Sequence, residues 1–153
     1  MKISRKGEYA LRAMTMLSLH HGRGLLRARE IAARQAIPER FLERILLDLK
    51  KAGILLSVRG RNGGYALARP PRLITLARVI RIIDGPLAPI GCASDWARLE
   101  CPAQAGCGLY RVMRRVRNAI AGILEKTTFA DIRATARRPS AGRGGTVGRG
   151  CAG

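Results

Sequence analysis

"SVRGRNGGYALA", residues 57–68, is the stretch on which the fold turns. Ile54 to Arg59 and Tyr65 to Arg69 read as two strands, and Gly60-Arg61-Asn62-Gly63-Gly64 joins them. Glycine and asparagine tolerate the positive φ that a tight reversal requires. The segment is therefore predicted to be a β-hairpin with Arg59 and Arg61 at its tip. It is not a phosphate-cradling loop, because no Lys-Ser or Lys-Thr follows the glycines. Nor does "GRNGG" match the dinucleotide-binding fingerprint.

Working towards the N-terminus, Pro38 to Ala52 is predicted to be a helix, with Pro38 in its first turn and Gly53 as its stop. Leu42, Ile45, Leu46 and Leu49 form its apolar stripe, while Arg40, Glu43, Arg44 and Lys50 fall mostly on other faces. "QAIP", residues 35–38, breaks it from a short helix over Arg27 to Gln35. Before that, Arg5 to His21 reads as a helix, with Ala10, Ala13, Met14 and Leu17 facing inward and Gly22 ending it.

Towards the C-terminus, "RPPR" closes the second strand and a helix is predicted from Leu76 to Asp84. Gly85, Pro86 and Pro89 open an irregular loop carrying Cys92, Cys101 and Cys107. Leu109 to Lys126 then reads as a long helix whose stripe of Leu109, Val112, Met113, Val116, Ile120, Ile123 and Leu124 wants a partner. "TTFADI" suggests a short terminal element. The Gly- and Arg-rich end is predicted to be disordered, with Cys151 a free thiol in it. The fold class expected is mostly α with a small β-hairpin: a winged helix-turn-helix plus a long C-terminal dimerisation helix. Its expected divisions are 1–84 for the winged helix, 85–108 for the cysteine loop, 109–136 for the long helix and terminal element, and 137–153 for the tail.

Charge narrows the function. Lys and Arg number 29 against 10 Asp and Glu, a formal net charge of +19. Such a field favours a polyanionic partner. No apolar run of about 18 residues is present to span a membrane. The start, "MKISRKGEYALRAM", has no uninterrupted apolar core or small-residue cleavage site, so a cytoplasmic location is expected. In that setting four cysteines point to metal or redox chemistry more than to structural disulfides. No nucleophile–base pair or carboxylate pair suggests an enzyme. A helix fits the major groove of duplex DNA, and arginines on an adjacent hairpin are drawn to the minor groove's negative potential. The candidate DNA-binding residues are Arg40, Glu43, Arg44, Lys50, Arg59 and Arg61.

"FLERILLDLKKAGILLSVRGRNGGYALARPP", residues 41–71, resembles the recognition helix and wing of the IscR/NsrR/RirA family of bacterial repressors. The likeness extends over about Met1 to Ile132, and the opening "MKISRKGEYALRAM" resembles that family's first helix. It implies a small homodimeric regulator reading a pseudo-palindromic operator in double-stranded DNA, with Glu43 accepting from a cytosine and Arg59 in the minor groove. Many members carry an iron–sulfur cluster; others lack the cysteines and answer to a partner protein or metabolite. A general nucleic-acid coat, indifferent to sequence, is a further alternative.

Eight residues separate Cys92 from Cys101, and five separate Cys101 from Cys107. Thiolates are soft donors suited to iron–sulfur clusters and zinc. Structural zinc prefers close cysteine pairs and four protein ligands, but no C-x-x-C occurs and no histidine follows His21. Plain reduced thiols and a dithiol switch also fit the spacing. By resemblance, Cys92, Cys101 and Cys107 would hold a [4Fe-4S] or [2Fe-2S] cluster that senses iron, nitric oxide or redox state. The family's first gap is commonly about five residues, so the longer one here bears on cluster type. Tyr110 stands where an IscR-like histidine ligand would be. Glu8, from the first helix of the other subunit, is the implied fourth ligand; otherwise it is a surface partner for Arg12. Trp96 is read as a packing anchor within the loop.

Overall fold

The computed structural model describes residues 3–95, 101 and 104–136. Trp96, Cys151 and the expected disordered tail lie outside the described residues. The element order is α1 (Arg5–Leu19), α2 (Ala28–Gln35), α3 (Glu39–Lys51), β1 (Leu55–Val58), β2 (Gly64–Leu67), α4 (Leu76–Ile83), α5 (Gly108–Lys126) and α6 (Phe129–Ala136). The chain is thus mostly helical with one small hairpin and one long late helix.

The helical stripes bury as their spacing demands. Ala10, Ala13, Met14 and Leu17 of α1 meet Ile31 and Ala32 of α2 and Leu42, Ile45, Leu46 and Leu49 of α3 in one core. Each large aliphatic side chain buried this way contributes about 1.5–3 kcal/mol. Helix ends differ slightly from the sequence expectation. α1 stops at Leu19, and the His20 N–H bonds back to the Met16 carbonyl, before Gly22 turns the chain at φ 83°. Pro38 lies just outside α3 with extended backbone, and its carbonyl accepts from the N–H groups of Phe41 and Leu42 at 3.0 Å. Between α2 and α3 the reversal is made by Ala36 in the left-handed region, φ 50° and ψ 48°.

β1 and β2 pair antiparallel, in the register Leu55↔Leu67, Ser57↔Tyr65 and Val58↔Gly64. Arg59 and Arg69 fall outside the ladder, so both strands are shorter than expected. A third segment joins them. Leu26 and Tyr65 exchange both backbone hydrogen bonds, at 3.0 and 2.8 Å. Gly64 permits this, since a Cβ there would sit 2.6 Å from the Leu26 carbonyl oxygen.

α4 is capped by Thr75, whose hydroxyl accepts from the Arg78 N–H at 3.3 Å. α5 rests on it through Ala121 and Leu124, against Ala77, Ile80 and Leu87. The chain then folds back. Phe129 of α6 is fully buried in the main core, and its carbonyl accepts from the buried Ser18 hydroxyl at 2.9 Å. Thr128 and Asp131 cap α6 reciprocally: the carboxylate accepts from the Thr128 N–H at 2.8 Å, and the Thr128 hydroxyl accepts from the Asp131 N–H at 3.3 Å. These hydrogen bonds hold the Asp131 carboxyl below its usual range, the side-chain bond from Thr128 contributing most.

Candidate nucleic-acid interface and cysteine loop

α3 presents one face to the core and the other to solvent. At about 100° per residue, Arg40, Glu43, Arg44, Leu47, Lys50 and Lys51 fall within a sector of about 120°. All six are exposed. Leu47, at the centre of that face, carries no charge and was not among the candidate residues read from the sequence. The helix is held from behind by α1. Lys6 donates to Asp48 at 2.8 Å, and the Tyr9 ring meets Phe41 edge-on at 5.7 Å. Arg12 lies over the Tyr9 ring and donates to the Gln35 carbonyl at the end of α2.

The hairpin tip is a four-residue turn in which the Gly60 carbonyl accepts from the Gly63 N–H at 2.9 Å. Gly60 has φ 108°, a conformation open to glycine at little cost. Arg59, just before this turn, and Arg61, within it, are both exposed. A third arginine was not anticipated: Arg27 donates from its guanidinium to the Arg61 carbonyl at 2.8 Å.

Most carboxylates among the described residues are engaged elsewhere. Asp84 accepts from the backbone and hydroxyl of Ser4 at the start of α1. Glu30 pairs with Arg34 at 2.8 Å, and Glu125 pairs with Arg81. The Arg81 hydrogen bond and then its charge hold the Glu125 carboxyl below the usual range, with Arg117 adding to the effect. The carboxylates carried by α3 itself are Glu39, Glu43 and the already paired Asp48.

The cysteine loop is pinned to α5 at its near end. Cys92 lies half-buried in a single 3₁₀ turn, Gly91–Ala93. Three residues on, Asp95 forms ion pairs with both Arg114, at 3.1 Å, and Arg117. Cys101 is exposed. Cys107 is the N-cap of α5, and its Sγ accepts from the Tyr110 N–H at 3.4 Å. Among the described residues no three His, Cys, Asp or Glu side chains come together closely enough to hold a metal ion. The three thiols suit an iron–sulfur cluster by donor chemistry. Glu8 is exposed on α1 and pairs with Arg12 at 3.5 Å, the surface arrangement weighed as its alternative.

α5 leaves part of its apolar stripe uncovered, while Leu124 packs on α4. Leu109, Val112, Val116 and Ile123 are between 39% and 66% exposed, and only Ala121 is buried.

A helix-turn-helix, an exposed basic face on α3 and a braced hairpin define the architecture, and comparison with known proteins identifies its lineage. A family model described as "Rrf2: Iron-dependent Transcriptional regulator" matches residues 3–135. The chain belongs to the Rrf2 family. It is 39% identical over 136 residues to an rrf2-like HTH-type transcriptional regulator of Rhodobacter capsulatus, covering 85% of this chain and 91% of that protein. Among solved structures, CymR, the global cysteine regulator of Bacillus subtilis, superposes with a TM-score of 0.74 at 34% identity, covering 88% of this chain and 98% of CymR. T. potens IscR superposes with a TM-score of 0.71 at 33% identity, over 94% of each chain. As an Rrf2 protein the chain is a winged-helix, DNA-binding transcriptional regulator rather than an enzyme. No helix among the described residues is long and apolar enough to cross a membrane.

Proposed function

We propose that the chain represses transcription as a homodimer bound to a pseudo-palindromic operator. Residues 1–84 read the duplex, 85–108 receive the signal and 109–136 join the subunits. The observation that carries this reading is the exposed sector of α3, with Arg40, Glu43, Arg44 and Lys50, set beside a wing bearing Arg59 and Arg61. α3 enters the major groove, where arginine suits guanine and a carboxylate accepts from cytosine. The wing places Arg59 and Arg61 on the adjacent minor groove or backbone. The uncovered part of the stripe on α5 supports dimerisation, because such a face gains most when a second copy buries it. Two recognition helices then fall about one helical turn apart.

For the control of binding, similarity to CymR and the lack, among the described residues, of three ligating side chains gathered for a metal ion favour a regulator without a cluster, answering to a partner protein or metabolite. The second reading is an iron–sulfur sensor held by Cys92, Cys101 and Cys107, with Glu8 of the other subunit as fourth ligand. It draws on the family's iron-dependent description and on the likeness to IscR. In that case the cluster would supply sensitivity to iron, nitric oxide or redox state.

One experiment addresses both levels. The full chain is purified without air from iron-replete cells, assayed for iron and sulfide, and titrated with duplex DNA over a salt series. DNA binding that weakens in Arg59→Ala, with the salt slope reduced by about 0.9, supports the wing contact. An unchanged slope and affinity rejects it. A colourless, sulfide-free protein that binds tightly supports the cluster-free reading. Stoichiometric sulfide, with visible absorbance lost in Cys101→Ala, overturns that reading in favour of the cluster.

A further inference from the structure

The wing tip has little of its own to hold it. Three of the five residues from Gly60 to Gly64 are glycines, without side chains to pack. Within the tip, the described backbone bond is Gly63 N–H to Gly60 carbonyl. Just below the tip, β2 is secured by the paired hydrogen bonds between Leu26 and Tyr65. The next residue, Arg27, has extended backbone, φ −76° and ψ 144°, and begins the first turn of α2. Its backbone is thus tied to the sheet, and its side chain spans to the tip, where Nη2 donates to the Arg61 carbonyl at 2.8 Å. As an N-cap it makes no side-chain bond to α2 itself.

From this bridge we infer that Arg27 is a positioning residue for DNA binding: it fixes the wing tip against α2 so that Arg59 and Arg61 meet the duplex in one pose. Two effects act together. An arginine presents five donors in a rigid planar fork, so one bond to a carbonyl restricts the tip more than a flexible ammonium would. The guanidinium also covers the negative end of the Arg61 peptide, which would otherwise repel an approaching phosphate. The wing's two DNA-facing side chains are thereby ordered before binding, and less conformational entropy is lost on the duplex.

This inference rests on the wing contacting DNA, and the test separates the two. Arg27→Ala, Arg27→Gln, Arg61→Ala and the Arg27→Ala/Arg61→Ala double variant are titrated with a duplex selected from a random pool. Melting curves confirm that each stays folded, as expected for an exposed side chain. Arg27→Ala is expected to weaken binding about three- to tenfold. Arg27→Gln, uncharged but able to donate to the same carbonyl, should recover part of that loss. The double variant should lose clearly less than the sum of the two single losses, because a loosened tip has already lost part of what Arg61 contributes. Additive losses, with Gln no better than Ala, would make Arg27 an independent charge and overturn the inference. So would an Arg27→Ala variant that binds like the wild type while Arg61→Ala is impaired. Silence of both Arg59→Ala and Arg61→Ala would instead remove the wing contact itself, and the inference with it.

Discussion

Replacing Gly64 by alanine tests whether the wing depends on its third segment. Gly64 is not in the left-handed region, so alanine there suffers no backbone strain, and the effect must be steric. The new Cβ would lie 2.6 Å from the Leu26 carbonyl oxygen, 2.9 Å from its carbon and 3.1 Å from Leu25 Cβ. Since ordinary contacts begin near 3.4 Å, the Leu26 segment must retreat by most of an ångström. That breaks the Leu26–Tyr65 pair of hydrogen bonds, each worth about 1 kcal/mol net. Partial exposure of Leu26, now almost completely buried, adds up to about 1 kcal/mol. The alanine stiffens the unfolded chain and returns about 0.5 kcal/mol. The net loss is about 2 kcal/mol. Urea unfolding at fixed protein concentration measures it, with Gly60→Ala as the comparison. At Gly60 a Cβ meets nothing within 4 Å and only the positive φ is strained, so about 1 kcal/mol is expected. A Gly64→Ala loss below about 0.5 kcal/mol, or one no larger than that of Gly60→Ala, would refute the reasoning.

Ala36→Gly should stabilise the protein, raising Tm by about 1–3 °C at constant concentration, because the left-handed alanine costs about 1 kcal/mol and only part is returned as unfolded-state entropy; a lower Tm would contradict this. Asp95→Asn removes the charge that holds the loop to Arg114 and Arg117, so Cys92 should react faster with iodoacetamide, by mass spectrometry of the modified peptide, while Cys101, already exposed, should not. Glu125 and Asp131 both have carboxyls held below their ordinary values. Their contributions are complete above the unfolded carboxylate range of about pH 4 and disappear as the pH falls below it. Asp131→Asn should therefore flatten the acid limb of a stability–pH curve, and an unaltered limb would argue against the α6 cap.

Much of the architecture was legible because its cause is local. The stripe Leu42, Ile45, Leu46 and Leu49 repeats with the helical period, and all four side chains are buried completely. The hairpin was legible from Gly60 to Gly64, whose composition suits few other conformations. The apolar stripe of α5 was equally visible, and its exposure follows from the same period: one face of a helix cannot cover itself. What escaped prediction is non-local or breaks a local rule. Leu26 pairs at a single residue, leaving no alternation to detect. Arg27 and Arg61 are 34 residues apart, and Asp95 meets Arg114 after 19, so no short-range pattern links them. Ala36 makes a turn usually signalled by glycine or asparagine. Leu47 falls off the inward stripe, but as an apolar residue it was not counted with the candidate DNA-binding side chains beside it. For the cysteines, spacing described how far the chain can reach, but whether three sulfurs meet depends on how the loop is tied to α5.

Selection of duplexes from a random pool, followed by fluorescence anisotropy on the enriched sequence and on a scrambled one, tests the central claim of sequence-specific reading by α3 and the wing. The account predicts an enriched site with dyad symmetry, bound about a thousandfold or more tighter than the scrambled duplex at physiological salt. Equal affinity for both duplexes, varying only with salt, would contradict it.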